Sequence, residues 1–183
     1  MMRVISFGRV WRAQGLNKIP KAEEENRPYF AFGSNLSLDQ MRKRCPGHQL
    51  VGIAVLSNHR VVCNKKGDNG VDYYAGIVCS PGDEVLGALY QLTKEDITSL
   101  DLSEGCKDGG RHYVRNAKDF FVRDRETGQI INAFTYFVVD PVASKKPTLG
   151  YATKIFQGCR DHGLPEKYVK TLRTWFLMDP ETP

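Results

Sequence analysis

The chain has 183 residues, 41% of them hydrophobic and 26% charged, which is ordinary globular composition and enough material for one domain with a sizeable core. No apolar run approaches the ~20 residues that span a bilayer, and the compact apolar core of a secretory leader is missing, so no membrane span and no export are expected. The net charge of +5 does not point to nucleic acid: residues 1–28 hold six basic side chains (Arg3, Arg9, Arg12, Lys18, Lys21, Arg27) against three acidic ones (Glu23, Glu24, Glu25), and the rest lacks interleaved basic and stacking aromatic residues.

Residues 1–27 read as an extension outside the domain. Residues 1–22 contain five basic side chains and no acidic one, with Val4, Phe7 and Trp11 near one helical face, a pattern like a mitochondrial presequence; Gly8, Gly15 and Pro20 weaken that helix and favour a disordered extension in a cytoplasmic protein. The domain is expected over residues 28–178, with 179–183 as a tail. Tyr29-Phe30-Ala31-Phe32 is apolar enough for a short buried strand, which Gly33-Ser34-Asn35 stops. Ser37 and Gln40 fit a capping box for a helix through Arg44. The loop therefore lies at a helix start, where outward-facing N–H groups suit an anion or a developing oxyanion. Arg42-Lys43-Arg44 reads as a solvated helix end.

Residues 51–56 and 59–63 are predicted strands, followed by a polar loop at 65–70. Residues 73–79 and 85–92 are predicted to pair around a turn at 81–84. Thr93 fits the cap of a short helix through Leu100, which delivers the chain to Asp101 and Glu104. After a glycine-bearing loop, 113–122 and 129–139 form a second predicted hairpin, residues 151–161 a helix ended by Gly163, and Pro165 opens the last helix. The sum is an α+β single domain, a mixed sheet of about six strands closing towards a barrel with short flanking helices. The five cysteines (Cys45, Cys63, Cys79, Cys106, Cys159) are scattered without a C-x-x-C spacing and read as reduced thiols. His48, His59, His112 and His162 show no ligand spacing, so no metal is expected.

The stretch Tyr29-Phe30-Ala31-Phe32-Gly33-Ser34-Asn35-Leu36 resembles the Y-F-A-Y-G-S-N-L signature of gamma-glutamylcyclotransferases. Three later segments follow in that family's order: Ser80-Pro81-Gly82-Asp83-Glu84-Val85-Leu86-Gly87, then Leu100-Asp101-Leu102-Ser103-Glu104-Gly105, then Gly163-Leu164-Pro165 before a last helix. The resemblance spans residues 28–177 and implies a cofactor-free enzyme for a small gamma-glutamyl substrate, assembled as a homodimer. In that chemistry the substrate's own α-amine attacks its γ-glutamyl carbonyl, closing 5-oxoproline and expelling an amino acid. The enzyme must fold the substrate, an effect worth up to ~7–11 kcal/mol in favourable intramolecular cases, and move protons.

By resemblance Glu104 is the acid/base, in a segment like the family's L-D-x-x-E-G. An exposed glutamate titrates near ~4.3, so the site is expected to desolvate it partly. Residues Tyr29, Phe30, Ala31, Phe32, Gly33 and Ser34 line the substrate by resemblance. Backbone N–H groups from Gly33, Ser34, Asn35 and Leu36 would hold its carboxylate or the oxyanion. Tyr151 closes from the linker–helix junction, Tyr113 follows the loop beyond Glu104, and Tyr136 is either a wall of the site or core. Two features depart from the family pattern: Phe32 replaces a tyrosine, and the loop between Glu104 and Tyr113 is about two residues longer, which leaves the expelled group open. A gamma-glutamylamine cyclotransferase acting on lysine isopeptides, and a binding protein without turnover, are the alternatives. A Cys106/His112 nucleophile is a weaker constellation, because cyclisation already has its nucleophile.

Overall fold

The computed structural model describes residues 27–106, 112–116 and 119–177. Of the expected extension only Arg27 falls among the described residues, and the expected tail at 179–183 lies outside them.

The scaffold is one long antiparallel ladder, β2 (Gln49–Lys66) against β3 (Tyr73–Gln91), whose β-branched and apolar residues suit a half-buried pleated surface. The turn expected at 81–84 does not reverse the chain. Strand β3 continues through it, and the reversal lies between Lys66 and Tyr73. The ladder steps from the Ser57–Glu84 pair to the His59–Cys79 pair, so residues 80–83 bulge out opposite Asn58. Both sides of that irregularity adopt left-handed backbone, Asn58 at φ 59° and Gly82 at φ 86°, and the Asn58 amide oxygen accepts the Gly82 N–H at 3.1 Å. The residues read as turn formers are therefore bulge formers.

Strand β1 (Tyr29–Ala31) flanks β3, pairing Tyr29 with Tyr90 and Ala31 with Ala88. The other edge of β2 carries β5 (Phe121–Asp124) and then β6 (Ile130–Asn132), giving the order β1-β3-β2-β5-β6. β4 (Tyr113–Arg115) and β7 (Tyr136–Val138) form a separate two-stranded sheet, so the second expected hairpin is split between two sheets. The expected barrel does not form. β5 and β6 are too short to carry the ladder round, and the chain leaving β6 meets β1 at a single parallel bridge between Phe134 and Tyr29.

Among the described residues four α-helices cover this frame: α1 (Leu38–Arg44), α2 (Lys94–Ser103), α3 (Leu149–Asp161) and α4 (Glu166–Leu177). Phe30, Leu36, Leu89, Tyr90, Leu100, Phe134, Ile155 and Leu172 have at most 1% exposure and join strands and helices in one core. Each apolar side chain so buried is worth about 1.5–3 kcal/mol. No helix among the described residues is long and apolar enough to cross a membrane.

Candidate active site

The core fixes β1, and β1 aims the loop that follows. Phe30 and Ala31 are fully buried, and Phe32 is 6% exposed with its ring 6.3 Å from that of Phe30. These residues anchor the segment. Tyr29 is also buried but turns its hydroxyl to the loop, where it accepts a hydrogen bond from Asn35 Nδ2 at 2.9 Å.

After Gly33 the chain makes one 3-10 turn, Ser34–Leu36. The Leu36 N–H is used within it, donating to Gly33 O at 3.0 Å, so it is withdrawn from the expected row of substrate donors. The N–H groups of Gly33, Ser34 and Asn35 donate to no described residue. Leu36 itself is core, its Cα region pressed against Gly158 of α3.

Ser37 caps α1 by accepting the Gln40 N–H at 3.5 Å. The other half of the expected capping box is missing because the Gln40 side chain turns into the site, donating from Nε2 to Ser34 Oγ and Asn35 Oδ1, both at 2.8 Å. One helical turn on, Arg44 lies on the same face as Gln40. It is not the solvated end expected of that basic run: its side chain is 28% exposed and its Nη1 donates to Asn35 Oδ1 at 2.9 Å and to Glu104 Oε1 at 2.8 Å.

Glu104 arrives from the other side. Thr93 and Asp96 form a full capping box at the start of α2, and the helix runs three residues past its expected end, making Glu104 its C-cap with the N–H on Leu100 O at 2.9 Å. Gly105 then takes φ +67°, with the His112 ring packed where a Cβ would stand. Asp101 pins the last turn of α2: its Oδ1 accepts the Tyr136 hydroxyl at 2.7 Å and its Oδ2 pairs with Arg115 at 3.4 Å. Tyr136 thus spends its hydroxyl on holding α2 and is 3% exposed.

The Glu104 side chain is only 14% exposed. Its Oε1 also accepts Asn35 Nδ2 at 3.0 Å. Burial raises its pKa above the ordinary carboxylate value, opposed by the Arg44 guanidinium and the Asn35 hydrogen bond and helped by Asp101. The Tyr29 phenol is pushed well up, by burial first and then by the Glu104 charge.

The facing wall is Ala75 of β3. Its N–H donates to the Tyr151 hydroxyl at 3.1 Å, and its carbonyl accepts the Tyr113 hydroxyl at 2.8 Å. A Cβ on Gly33 would stand 3.3 Å from Ala75 Cβ and 3.5 Å from the Tyr151 hydroxyl, so Gly33 and Tyr151 do face one another. Cys106 and His112 do not pair: the thiol donates to Tyr113 O at 3.1 Å, and His112 Nε2 lies 3.4 Å from Asp68. Burial, then Asp101, pushes that thiol up to about 12.

Glu104, the Gly33 loop, Tyr29, Tyr113 and Tyr151 are therefore brought together, with Phe30, Ala31, Phe32 and Tyr136 behind them. Sequence reading missed Gln40, Arg44 and Asp101. The signal available was their spacing: two long polar side chains four apart, directly after the loop, must share a face of α1.

The chain is similar to known proteins over most of its length. The AIG2-like family model matches residues 84–172. The chain is 31% identical over 163 residues to the gamma-glutamylcyclotransferase of Homo sapiens, covering 87% of this chain and 84% of that one. It is 32% identical over 155 residues to the gamma-glutamylcyclotransferase of Mus musculus, covering 82% and 79%. Among solved structures, a gamma-glutamyl cyclotransferase superposes with a TM-score of 0.71 at 29% identity, covering 80% of this chain and 86% of that one.

Proposed function

The chain belongs to the gamma-glutamylcyclotransferase family, and on that premise we propose that it converts a small gamma-glutamyl amino acid or dipeptide to 5-oxoproline and a free amino acid, with Glu104 as acid/base. One observation carries the reading: Glu104 and the Gly33 loop, 69 residues apart at Asn35, meet at a 3.0 Å hydrogen bond.

In this reading the N–H groups of Gly33, Ser34 and Asn35 hold the substrate's carboxylate or its developing oxyanion, and Tyr151 and Tyr113 close the glutamyl arm into its bent form. Glu104 takes a proton from the α-ammonium, freeing the lone pair to attack the γ-carbonyl carbon. The new C–N bond closes the ring, and the old C–N bond breaks as the departing nitrogen is protonated. The α-nitrogen loses two protons overall and the departing nitrogen gains two, each relayed through Glu104, which ends as it began. No external nucleophile or cofactor is needed for the balance.

The test is chromatography of 5-oxoproline after incubation with gamma-glutamyl amino acids, gamma-glutamyl dipeptides and gamma-glutamyl-lysine isopeptides. Product from the first two supports the proposal, product from the isopeptides alone supports an amine-directed cyclotransferase, and saturable binding without product leaves a binding protein. A homodimer, a cytoplasmic location and domain limits of 28–178 belong to the same reading. Light scattering of the full chain, a reporter fused to residues 1–27, and limited proteolysis address them in turn.

A further inference from the structure

Among the described residues, Glu104 is held by one oxygen only. Its Oε1 accepts from both Arg44 and Asn35, at 2.8 and 3.0 Å, while Oε2 accepts from no described residue. The holders are themselves locked. Arg44 Nη1 gives its second hydrogen to Asn35 Oδ1, closing a ring of three residues. Asn35 fills the full capacity of its amide, donating to Tyr29 and Glu104 and accepting from Gln40 and Arg44.

We infer that Arg44 is a positioning residue for the cyclisation, fixing Oε1 of Glu104 so that Oε2 is the oxygen that exchanges protons with the substrate. The inference rests on the proposed function and extends it to a residue of α1. Two consequences separate this role from plain scaffolding. A carboxylate bound at one oxygen keeps its other lone pairs aimed in one direction, so loss of the guanidinium blurs the geometry of proton transfer, and an error of ~1 Å there costs about 10²-fold. Arg44 also favours the ionised, proton-accepting form against burial.

Several described groups share the electrostatic surroundings of this carboxylate. Arg44 and Cys45 come from α1 and its end, Tyr29 from β1, Asp101 from α2, Cys106 from the residue pair after Glu104, Tyr113 from β4 and Tyr151 from α3. The thiols and phenols are all pushed upward by burial, so they stay neutral where Glu104 titrates. Among the described residues, Arg44 and Asp101 remain as the charges that shift its titration.

The test is the pH profile of 5-oxoproline formation for the full chain and its Arg44→Met and Arg44→Lys variants, with melting temperature measured alongside. The expected result for Arg44→Met is a kcat about tenfold to a hundredfold lower with a KM changed much less, and an acid limb of kcat/KM displaced to higher pH. Arg44→Lys should return the limb towards wild type without restoring full kcat, because the shorter side chain and freely rotating ammonium of lysine do not fix the two Nη1 bonds in the planar geometry of the guanidinium. An Arg44→Met variant with wild-type kcat and an unmoved limb would overturn the inference, as would a kcat loss tracking melting temperature alone. If Arg44→Met does not fold, Arg44→Lys decides by the same limb and kcat, and an unchanged kcat in it overturns the inference. A wild-type chain that forms no 5-oxoproline from any substrate defeats the proposed function instead.

Discussion

At the scale of single residues, Asn35 is the hub on which the site turns. The residue is 4% exposed, and its side chain bonds Tyr29, Gln40, Arg44 and Glu104. Asn35→Ala strands those buried groups, so it should cost about 1–3 kcal/mol by denaturant unfolding and lower turnover as well. Glu104 carries a signed pH dependence. Burial raises its pKa above 4.5, so the fold favours the protonated form, and stability is lost as pH rises from that value through the folded one. Glu104→Gln imitates the protonated form. It should melt no lower than wild type at neutral pH, the difference vanishing in acid below pH ~4. Activity runs the other way, since only the ionised carboxylate accepts a proton: kcat/KM should fall as pH drops through a pKa above the ordinary glutamate range. The Gly33 loop and Glu104 were singled out by the resemblance of their segments to the family's motifs, since local pattern alone reads as an ordinary strand-to-helix connection and a surface glutamate. Arg44 was not, because a basic side chain at a helix end satisfies the helix dipole equally well in solvent, and only the arrival of Glu104 from 60 residues away distinguishes the two.

At the scale of elements, the loop is held from behind by α3. Gly158 lies so close that a Cβ there would collide with Leu36 and stand 2.6 Å from Ser37 N. Gly158→Ala should therefore push α3 off the loop, costing about 1–3 kcal/mol and reducing turnover even though residue 158 touches no substrate. His162, just past α3, has Nε2 2.9 Å from Leu36 O and 2.8 Å from the Tyr90 hydroxyl. Burial depresses its pKa below 6.5, so its neutral form stabilises the fold above that value and the contribution is lost as pH falls through the folded pKa. Urea unfolding of His162→Gln should lose that acid-side slope. Asp101 does the same service for α2 through Tyr136 and Arg115, and Asp101→Asn should loosen the helix end that presents Glu104, seen as faster amide exchange there. Helix starts were readable from their caps. The strands were harder: Pro81-Gly82 reads as a turn from local chemistry, and only the pairing of β3 with a long β2 turns it into a bulge.

At the scale of the whole molecule, six separate segments among the described residues meet at one place: the end of β1, the inner face of α1, the C-cap of α2, Ala75 on β3, Tyr113 of β4 and the start of α3. Such a site exists only when the domain is folded, so a ligand that fills it should stabilise the fold by mass action. Saturating 5-oxoproline or a non-cleavable gamma-glutamyl analogue at 100 times its Kd should add about 2.7 kcal/mol, read as a rise in melting temperature. The open sheet could not be anticipated from strand count alone, because closure depends on whether β5 and β6 are long enough to reach β1. The proposal that Glu104, bonded to Asn35 of the Gly33 loop, moves the protons of cyclisation is decided by 5-oxoproline release from Glu104→Gln against wild type at saturating substrate. The side-chain oxygen of glutamine can still accept from Arg44 and Asn35, so the site keeps its shape and loses only its base. The expected kcat is lower by at least about 10²-fold with a native melting curve; a folded Glu104→Gln protein releasing 5-oxoproline at near wild-type rate would remove Glu104 from the chemistry.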